Sequence, residues 1–533
     1  MSFKHLIFTG ILFSLLLSAC RKETPSPYWE TDLLVPLFKS EMTIGNIIPD
    51  SLITSNPDNS LNLSYNSTFY SLTMDSLFQI PDTTVVDSFL LLVGSINLNP
   101  GDAFINSTVE EQYQINNVEL VRAIVRSGYI DALIRNTIPK RLKVTFSMPY
   151  ATKNSQPFTR TVIVPAAVGP NPGWFTDTFR LDGYDIDLRG PTMNSYNTFV
   201  YNVIGVIDPT EVGMVTVVPP QGALMSMSFV DLVPQFAKGY LSQTLVSVGP
   251  DSTNFDLFKK ITSGVLLLED ATATLSLVNN VGVDATATVS ELTSVNTRSN
   301  TSVSLNHSVI NTPINLNRAV DLGNGNGPVA PQTYSVTLNT SNSNFKDMLE
   351  NLPDKFRYSL SAEINPLGNV SGNNDFIYYG KGLNANLNLN IPLSLAMGNL
   401  TMMDTVDFGA IDPENNNINS GQLTLYAENG FPFDCSVFLT MLDANGNSLG
   451  ELMPTINTID EAPLGTNNIV SQPRMTKLII PIPATQITAL ENTKKMKLKI
   501  VFHTSNYPDY IKIYSFYKIG MQVVGEFNYT VGQ

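Results

Sequence analysis

Charge is scarce in this chain. Asp, Glu, Lys and Arg make up 14% of its 533 residues, against roughly a quarter in ordinary globular proteins. The 31 basic residues form no cluster and the formal charge is −15. That argues against a nucleic-acid partner, whose phosphates call for a basic face. Histidine is rarer still: His5, His307 and His503 are the full set. His307 and His503 have no Cys or acidic neighbour at ligand spacing, and with one free Cys they do not make a closed zinc site. Hydrolytic or transfer chemistry usually sets a base beside a nucleophile. The chain has no HExxH and no phosphate-cradling Gly-Lys-Ser/Thr loop. It is expected to be no enzyme and to carry no cofactor and no metal. After the first twenty residues no stretch is apolar for long enough to span a bilayer. What is present is a hydrophobic share of 43%, ample for packed cores.

The first twenty residues, MSFKHLIFTGILFSLLLSAC, run from a short basic head through an apolar stretch, Leu6–Leu17, to small residues before a cysteine. The stretch is too short to cross a membrane and reads as a secretion signal. Leu17-Ser18-Ala19-Cys20 resembles the lipobox of bacterial lipoproteins. The resemblance implies removal of residues 1–19 and acylation of Cys20, the one site residue the sequence assigns. Loss of Lys4 with the signal would take the charge from −15 to −16. Two or more acyl chains hold a protein stably on a bilayer, where one is marginal. Residues 20–28 then form a tether. RKETPSPY, its last eight residues, reach at most roughly 26–29 Å, which keeps the body near the membrane. No Asp follows Cys20 directly, which under the enterobacterial sorting rule favours the outer membrane. Only Glu23 is acidic just beyond it, so the residues suit either the periplasmic face or the cell surface. Cys435 is the other cysteine. No intrachain disulfide remains, and stability must come from burial. Cys435 alternates with Phe433, Val437 and Leu439, which places it on a core face as a small hydrophobe.

Three stretches read as strand, tight turn, strand: SGYIDALIRNTIPKRLKVTF (127–146), ATLSLVNNVGVDATATVS (273–290) and SGQLTLYAENGFPFDCSVFL (420–439). Asn136, Asn280 and Asn429 mark equivalent points, with gaps of 280 − 136 = 144 and 429 − 280 = 149 residues. Each gap is one domain length. Gly128 and Gly421 each stand eight residues ahead of the Asn. In the middle copy Ser263-Gly264 stands sixteen or more ahead, with VLLLEDAT between. Period-two alternation follows each Asn: Leu142, Val144 and Phe146 oppose Arg141, Lys143 and Thr145, and Val283, Ala285, Ala287 and Val289 do the same. That is a strand with one buried face. Asn suits the bend because it tolerates left-handed backbone and bonds nearby main chain. Pro139 and Pro432 restrict the re-entry three residues later.

A strand ending in Asn, a bend with Pro and a second alternating strand resemble the late-embryogenesis-abundant type 2, or water-stress-hypersensitivity, domain. That family implies an immunoglobulin-like β-sandwich. NTIP, NVGV and NGFP lack its proline directly after Asn. The expected fold is all-β: tandem immunoglobulin-like β-sandwich domains, three repeats, with a small β-rich N-terminal unit. The expected spans are 29–115 for that unit, 116–235 for repeat 1, 236–400 for repeat 2 and 401–533 for repeat 3. Turns rich in Gly and Asn at 323–328, 412–421 and 443–450 fit this reading. Short helical turns are expected near Met348-Leu349 and Leu490. Closing strands are expected at 222–230, 382–395 and 520–531.

Five features invite a ligand and have plainer readings. Asp443, Asn445 and Asn447 sit at EF-hand-like positions, but position six is Ser448 and position twelve is Pro454, so a polar hairpin is preferred. Asp50-Ser51-Leu52, Asp75-Ser76-Leu77 and Asp404-Thr405-Val406 resemble an O-glycosylation sequon, and turns explain them equally. Trp29, in an opening that resembles one found in Gram-negative lipoproteins, is expected to pin the N-terminal unit to the body. Residues 236–268 read as a domain linker or a lid, and Tyr-rich 510–520 as alternating core and rim.

The expected function is that of an outer-membrane-anchored lipoprotein acting as a structural or protein-interaction module, accessory to an outer-membrane complex. Its partners are the membrane, through Cys20, and an envelope protein. The alternatives are binding of a lipid or other apolar ligand between sandwich sheets, and binding of surface glycans.

Overall fold

The computed structural model describes residues 29–73, 80–115, 117–408 and 417–531. The protein is all-β, with many antiparallel sheets and only short helices. No helix among the described residues is long and apolar enough to cross a membrane.

Three modules follow one plan. In each, a central strand lies between a border strand and a closing strand. Glu119–Asn136 lies between Gly173–Arg180 and Gly222–Tyr240. Thr272–Asn279 lies between Gln332–Leu338 and Gly382–Pro392. Asn417–Asn429 lies between Arg474–Ile482 and Lys518–Val531. The facing sheet pairs Leu142–Lys153 with Thr198–Ile207, Ala285–Asn296 with Lys355–Ile364, and Asp434–Leu442 with Lys495–His503. The alternation is realised: Leu142, Val144 and Phe146 are buried, as are Val283, Ala285, Ala287 and Val289. The helical turns are Phe345–Glu350 and Ile487–Glu491.

Residues 29–115 form no separate unit, and here the sequence reading is corrected. Their strands are dealt out among the modules. Trp29–Thr43 lies beside the closing strand of the third module, Leu61–Thr73 beside that of the second and Thr83–Leu90 beside that of the first. Ala103–Gln112 completes the facing sheet of the first module. The corresponding outer places in the second and third are filled by Thr244–Asn254 and Ser394–Asp407. Alternation reveals that a strand buries one face; it does not reveal which neighbour it joins.

The expected boundaries also move. Strand Gly222–Tyr240 runs through 235/236, and strand Ser394–Asp407 runs through 400/401. The chain passes between modules at 241–243 and at Leu393, from a closing strand straight into the outer strand of the next module. Residues 236–268 are neither a plain linker nor a lid. They finish one closing strand, supply the outer strand Thr244–Asn254 and then send Ile261–Leu268 into the third module's sheet, beside Ser394–Asp407. Ser263-Gly264 therefore belongs to the third module and is no counterpart of Ser127-Gly128.

The registers order the modules end to end. Trp29 pairs with Val531, and Asn429 with Ile519 near the other end of the same strand. That second end meets the second module, where Leu61 donates to the Ile513 carbonyl and Ser60 bridges Tyr514. Asn279 lies at the far end of the second module, where Asp375–Tyr378 pairs with Phe236–Gly239 of the first. Asn136, paired with Ala223, lies at the far end of the first. The base holds Trp29 and Val531, and the tip holds the loops around Asn136.

One hydrogen-bond cassette recurs at the three strand ends, and it corrects the middle position from Asn280 to Asn279. Asn136, Asn279 and Asn429 are fully buried. Each accepts at Oδ1 from the amide two residues on: Ile138, Val281 and Phe431. Each donates from Nδ2 to the carbonyl four residues on, Lys140, Val283 and Phe433, at 2.8–2.9 Å. Each donates again to a distant carbonyl, Pro165, Asn317 and Asp460, at 2.9 Å. Two residues past those carbonyls, the amides of Ala167, Ala319 and Ala462 donate back to Ile138, Val281 and Phe431. An amide side chain is well matched to this place, since it offers two donors and an acceptor together. Asn280 instead makes one side-chain bond, to Gly382 at 3.2 Å. The proline place is then Pro139, Gly282 and Pro432. Gly282 departs for two reasons: its amide donates to the Phe376 carbonyl, and a Cβ there would meet the Phe376 ring at 2.1 Å.

Candidate functional site

The cavities described inside the first two modules are small. Between the sheets of the first module lie cavities of about 10 and 20 Å³, and in the second one of about 30 Å³ lined by Tyr70, Val248 and Leu360. Roughly 10–15 Å³ on this measure holds one water, so no acyl chain fits any of them. A larger hollow of about 470 Å³ lies on the surface of the second module, lined by polar side chains including His307, Asn342, Lys346 and Asp347.

The residues singled out for chemistry lie apart. Cys435 is buried in a strand of alternating burial, and burial pushes its thiol up to about 12; a thiol held neutral is a poor nucleophile. Its neighbour Asp434 is also raised by burial. His307 accepts at Nδ1 from the Val309 amide in the second module, while His503 pairs with Asp434 in the third. The described residues hold no group of three or more His, Cys, Asp or Glu placed to bind a metal. In the EF-hand-like stretch, Asp443 accepts from the Asn445 and Asn447 amides and from Asn447 Nδ2. These bonds, the Asn447 side chain foremost, lower the Asp443 pKa and close a polar hairpin. Gly446-Asn447-Ser448-Leu449-Gly450 has the letters of a nucleophile elbow. It turns from one antiparallel strand into another, Ser448–Leu452, whereas the elbow needs a strand-to-helix turn.

Cys20, the signal 1–19, the tether 20–28, Asp75-Ser76-Leu77 and the side chain of Trp29 lie outside the described residues. Asp50–Leu52 is a 3-10 turn, but Asp404-Thr405-Val406 stands within a paired strand. In the Tyr-rich stretch Tyr514 and Tyr517 are buried, and Tyr510 and Phe516 are exposed.

The joints between modules are built of polar and aromatic contacts that sequence reasoning missed. Asp375 is a buried carboxylate at the first joint. Its Oδ2 accepts from the Leu241 amide at 3.1 Å and from Asn365 Nδ2 at 2.7 Å, and its Oδ1 from Arg318 at 3.1 Å. Arg122 of the first module forms a bidentate pair with Asp185, both bonds 2.8 Å, and donates to the Asn324 carbonyl of the second. Phe236 packs against Phe376 and Tyr378 across the joint. Only the turn-rich GNGNGP signalled this place, and a turn says nothing of what it touches.

The tip differs from the other module ends. Four of its loops, 91–102, 137–141, 165–172 and 208–221, lead away from the Asn136 end of the first module. Leu92, Val93, Val168 and Met214 stand exposed on them, and Val212 is 86% exposed. Trp174, beside Arg135, is exposed at the rim.

No protein family and no curated protein matches the chain. Among solved structures, one from Parabacteroides distasonis, described as a candidate secreted protein, is 15% identical. It covers 53% of this chain and 82% of its own, with a TM-score of 0.26. The infectious bursal disease virus VP2 subviral particle is 10% identical over 92% of this chain and 86% of its own, at a TM-score of 0.11. Likeness this slight carries no functional argument.

Proposed function

We propose that this protein is a lipid-anchored arm of the outer membrane, a structural or protein-interaction module accessory to an envelope complex. Acylation at Cys20 would fix the base. The observation that carries the reading is the order of the modules: the described chain begins and ends at the base, and three sandwiches lead from it to a separate tip. The small cavities favour action through surfaces over a lipid slot between sheets. The border strands Gly173–Arg180, Gln332–Leu338 and Arg474–Ile482 are sheet edges among the described residues, and such edges suit strand addition by a partner. The late-embryogenesis-abundant resemblance enters only as a reading of the module plan. The test is affinity purification from detergent-solubilised membranes with crosslinking, using Cys20→Ala as control. A stoichiometric envelope partner, lost with Cys20→Ala, is the expected result, and recovery of none refutes it.

One observation favours a second reading, glycan binding: the polar hollow of the second module. Its Asn, Ser, Thr and Lys groups suit sugar hydroxyls. A glycan array probed with the intact chain and with Lys346→Ala decides it, since binding insensitive to that change discards this hollow.

A further inference from the structure

Each module has a crossover between the facing sheet and its closing strand, and each crossover carries a short strand. In the second module this is Asp375–Tyr378, which receives Phe236–Gly239 of the first. In the third it is Ile511–Lys512, which pairs with Ser394–Leu395 at the start of that module's own outer strand, while the next residue, Ile513, donates to the Leu393 carbonyl and accepts from the Leu61 amide of the second. In the first it is Val215–Val217, and the strand it receives is Ile96–Leu98. The place where a further sandwich would dock is thus already filled, by a piece of the chain's own leader. Stacking of another such module does not account for the apolar groups that surround it.

Those groups project from separate loops. Leu92 and Val93 follow Thr83–Leu90, Val168 follows strand Gln156–Val164, and Val212 and Met214 lie in the crossover. The charges among them are nearly balanced. The four loops carry Lys140 and Arg141 against Asp102, Asp208 and Glu211, or 2 − 3 = −1, on a chain of −15. Arg141 pairs with Asp208 and Glu211, Lys140 pairs with Glu211, and Asp102 accepts from the Asn99 amide. A tip of exposed apolar side chains, its few charges paired with one another and Trp at its rim, matches a bilayer interface. There, loop side chains enter the headgroup region and Trp sits at its level. Exposed apolar clusters of this kind mark contact sites.

We propose that the tip loops insert into the interfacial region of a lipid bilayer, at the opposite end of the molecule from the Cys20 tether. This goes beyond the arm reading and rests on different residues. The probe is phosphatidylcholine vesicles, floated with the chain from Arg21 onward. That chain lacks the signal and Cys20 but keeps every described strand. It should float with the vesicles, and added salt should change this little. Leu92→Ser, Val93→Ser, Val212→Ser and Met214→Ser together should weaken partition at least tenfold while leaving the thermal melt unchanged. In a Trp29→Phe background, Trp174 fluorescence should shift blue and be quenched by brominated lipid. Failure to float, or flotation indifferent to the four substitutions, overturns the proposal. So does a stoichiometric protein complex that the substitutions abolish when vesicles are not bound, which would assign the tip to a protein.

Discussion

Asn279 and Asn280 are adjacent, and the structure gives them different work. Asn279→Ala removes the acceptor of the Val281 amide and the donor to two carbonyls, those of Val283 and Asn317. All of this happens where the side chain is fully buried. A buried polar group left without its partner costs about 1–3 kcal/mol, and carbonyls with a second lone pair sit at the low end. The sum is about 3–5 kcal/mol for the middle module. At roughly 2–4 °C per kcal/mol for units of 150–250 residues, its melting should fall by roughly 6–20 °C. Asn280→Ala removes one bond to the Gly382 carbonyl, which the Asn280 backbone amide already serves at 3.0 Å. It should cost under about 1 kcal/mol. Scanning calorimetry of both variants checks this, and equal losses would refute the cassette.

Asn279→Asp adds a pH signature. The carboxylate would keep the Val281 donor but face two carbonyls with none to offer, so its folded pKa should rise above the unfolded value of about 3.9. A carboxyl raised on folding destabilises most above its folded pKa, and the penalty fades as pH falls toward the unfolded value. The Asp variant should therefore recover part of its loss between neutral pH and about pH 4, measured against wild type at each pH. The Ala variant should show no such recovery. A pH-independent Asp penalty would mean that the site opens to water.

Four further outcomes follow from the joints, the core and the anchor. Asp375→Ala strips the Leu241 amide, Asn365 and Arg318 of a shared acceptor; limited proteolysis should then cut near 241–243, where the wild-type chain resists. Gly282→Ala would press a methyl into the Phe376 ring, and the same assay should report a loosened first joint with the third module's melt unchanged. Cys435 should resist maleimide at neutral pH in the folded chain, since its thiol is buried and raised to about 12, and react on unfolding; rapid labelling of the native protein would contradict the packing. Cys20→Ala should leave only the tip to hold the chain on the membrane, and Cys20→Ala combined with the four tip substitutions should move it to the soluble fraction, as sedimentation would show.

The sequence made the module plan legible because each copy writes it locally. The central strand, the bend and the alternating strand lie within about twenty residues, so periodicity and turn chemistry suffice. The slip from Asn279 to Asn280 came from reading Asn alone. Asn followed two places on by an apolar residue, as in Asn136-Thr137-Ile138 and Asn429-Gly430-Phe431, selects Asn279-Asn280-Val281 instead. Pairings across hundreds of residues were not legible. Nothing in LNLSYNSTFYSLTM says that its partner is Gly382–Pro392, because a strand's pattern fixes a buried face and leaves its neighbour open. The same holds for Asp375, whose buried role depends on Leu241 and Arg318 arriving from elsewhere.

The path of the first strand would also tie the proposed anchor to the body. Trp29–Thr43 lies antiparallel to Lys518–Val531 over its whole length, with a single irregularity between Pro36 and Phe38. The third module cannot complete this sheet until Lys518–Val531 exists, so its folding waits on a pairing between strands far apart in sequence. Once made, the pairing has a mechanical consequence. Trp29 stands at the base, and the strand runs from there toward the second module. A pull on a tether at Cys20 would act along the strand axis, in shear against the closing strand. Shear loads the ladder bonds together, whereas a strand peeled from its end would lose them one at a time. A lipid anchor at Cys20, as proposed, would thus be attached where the sheet resists it with many bonds at once, and the other end of the body would be left free to make contact.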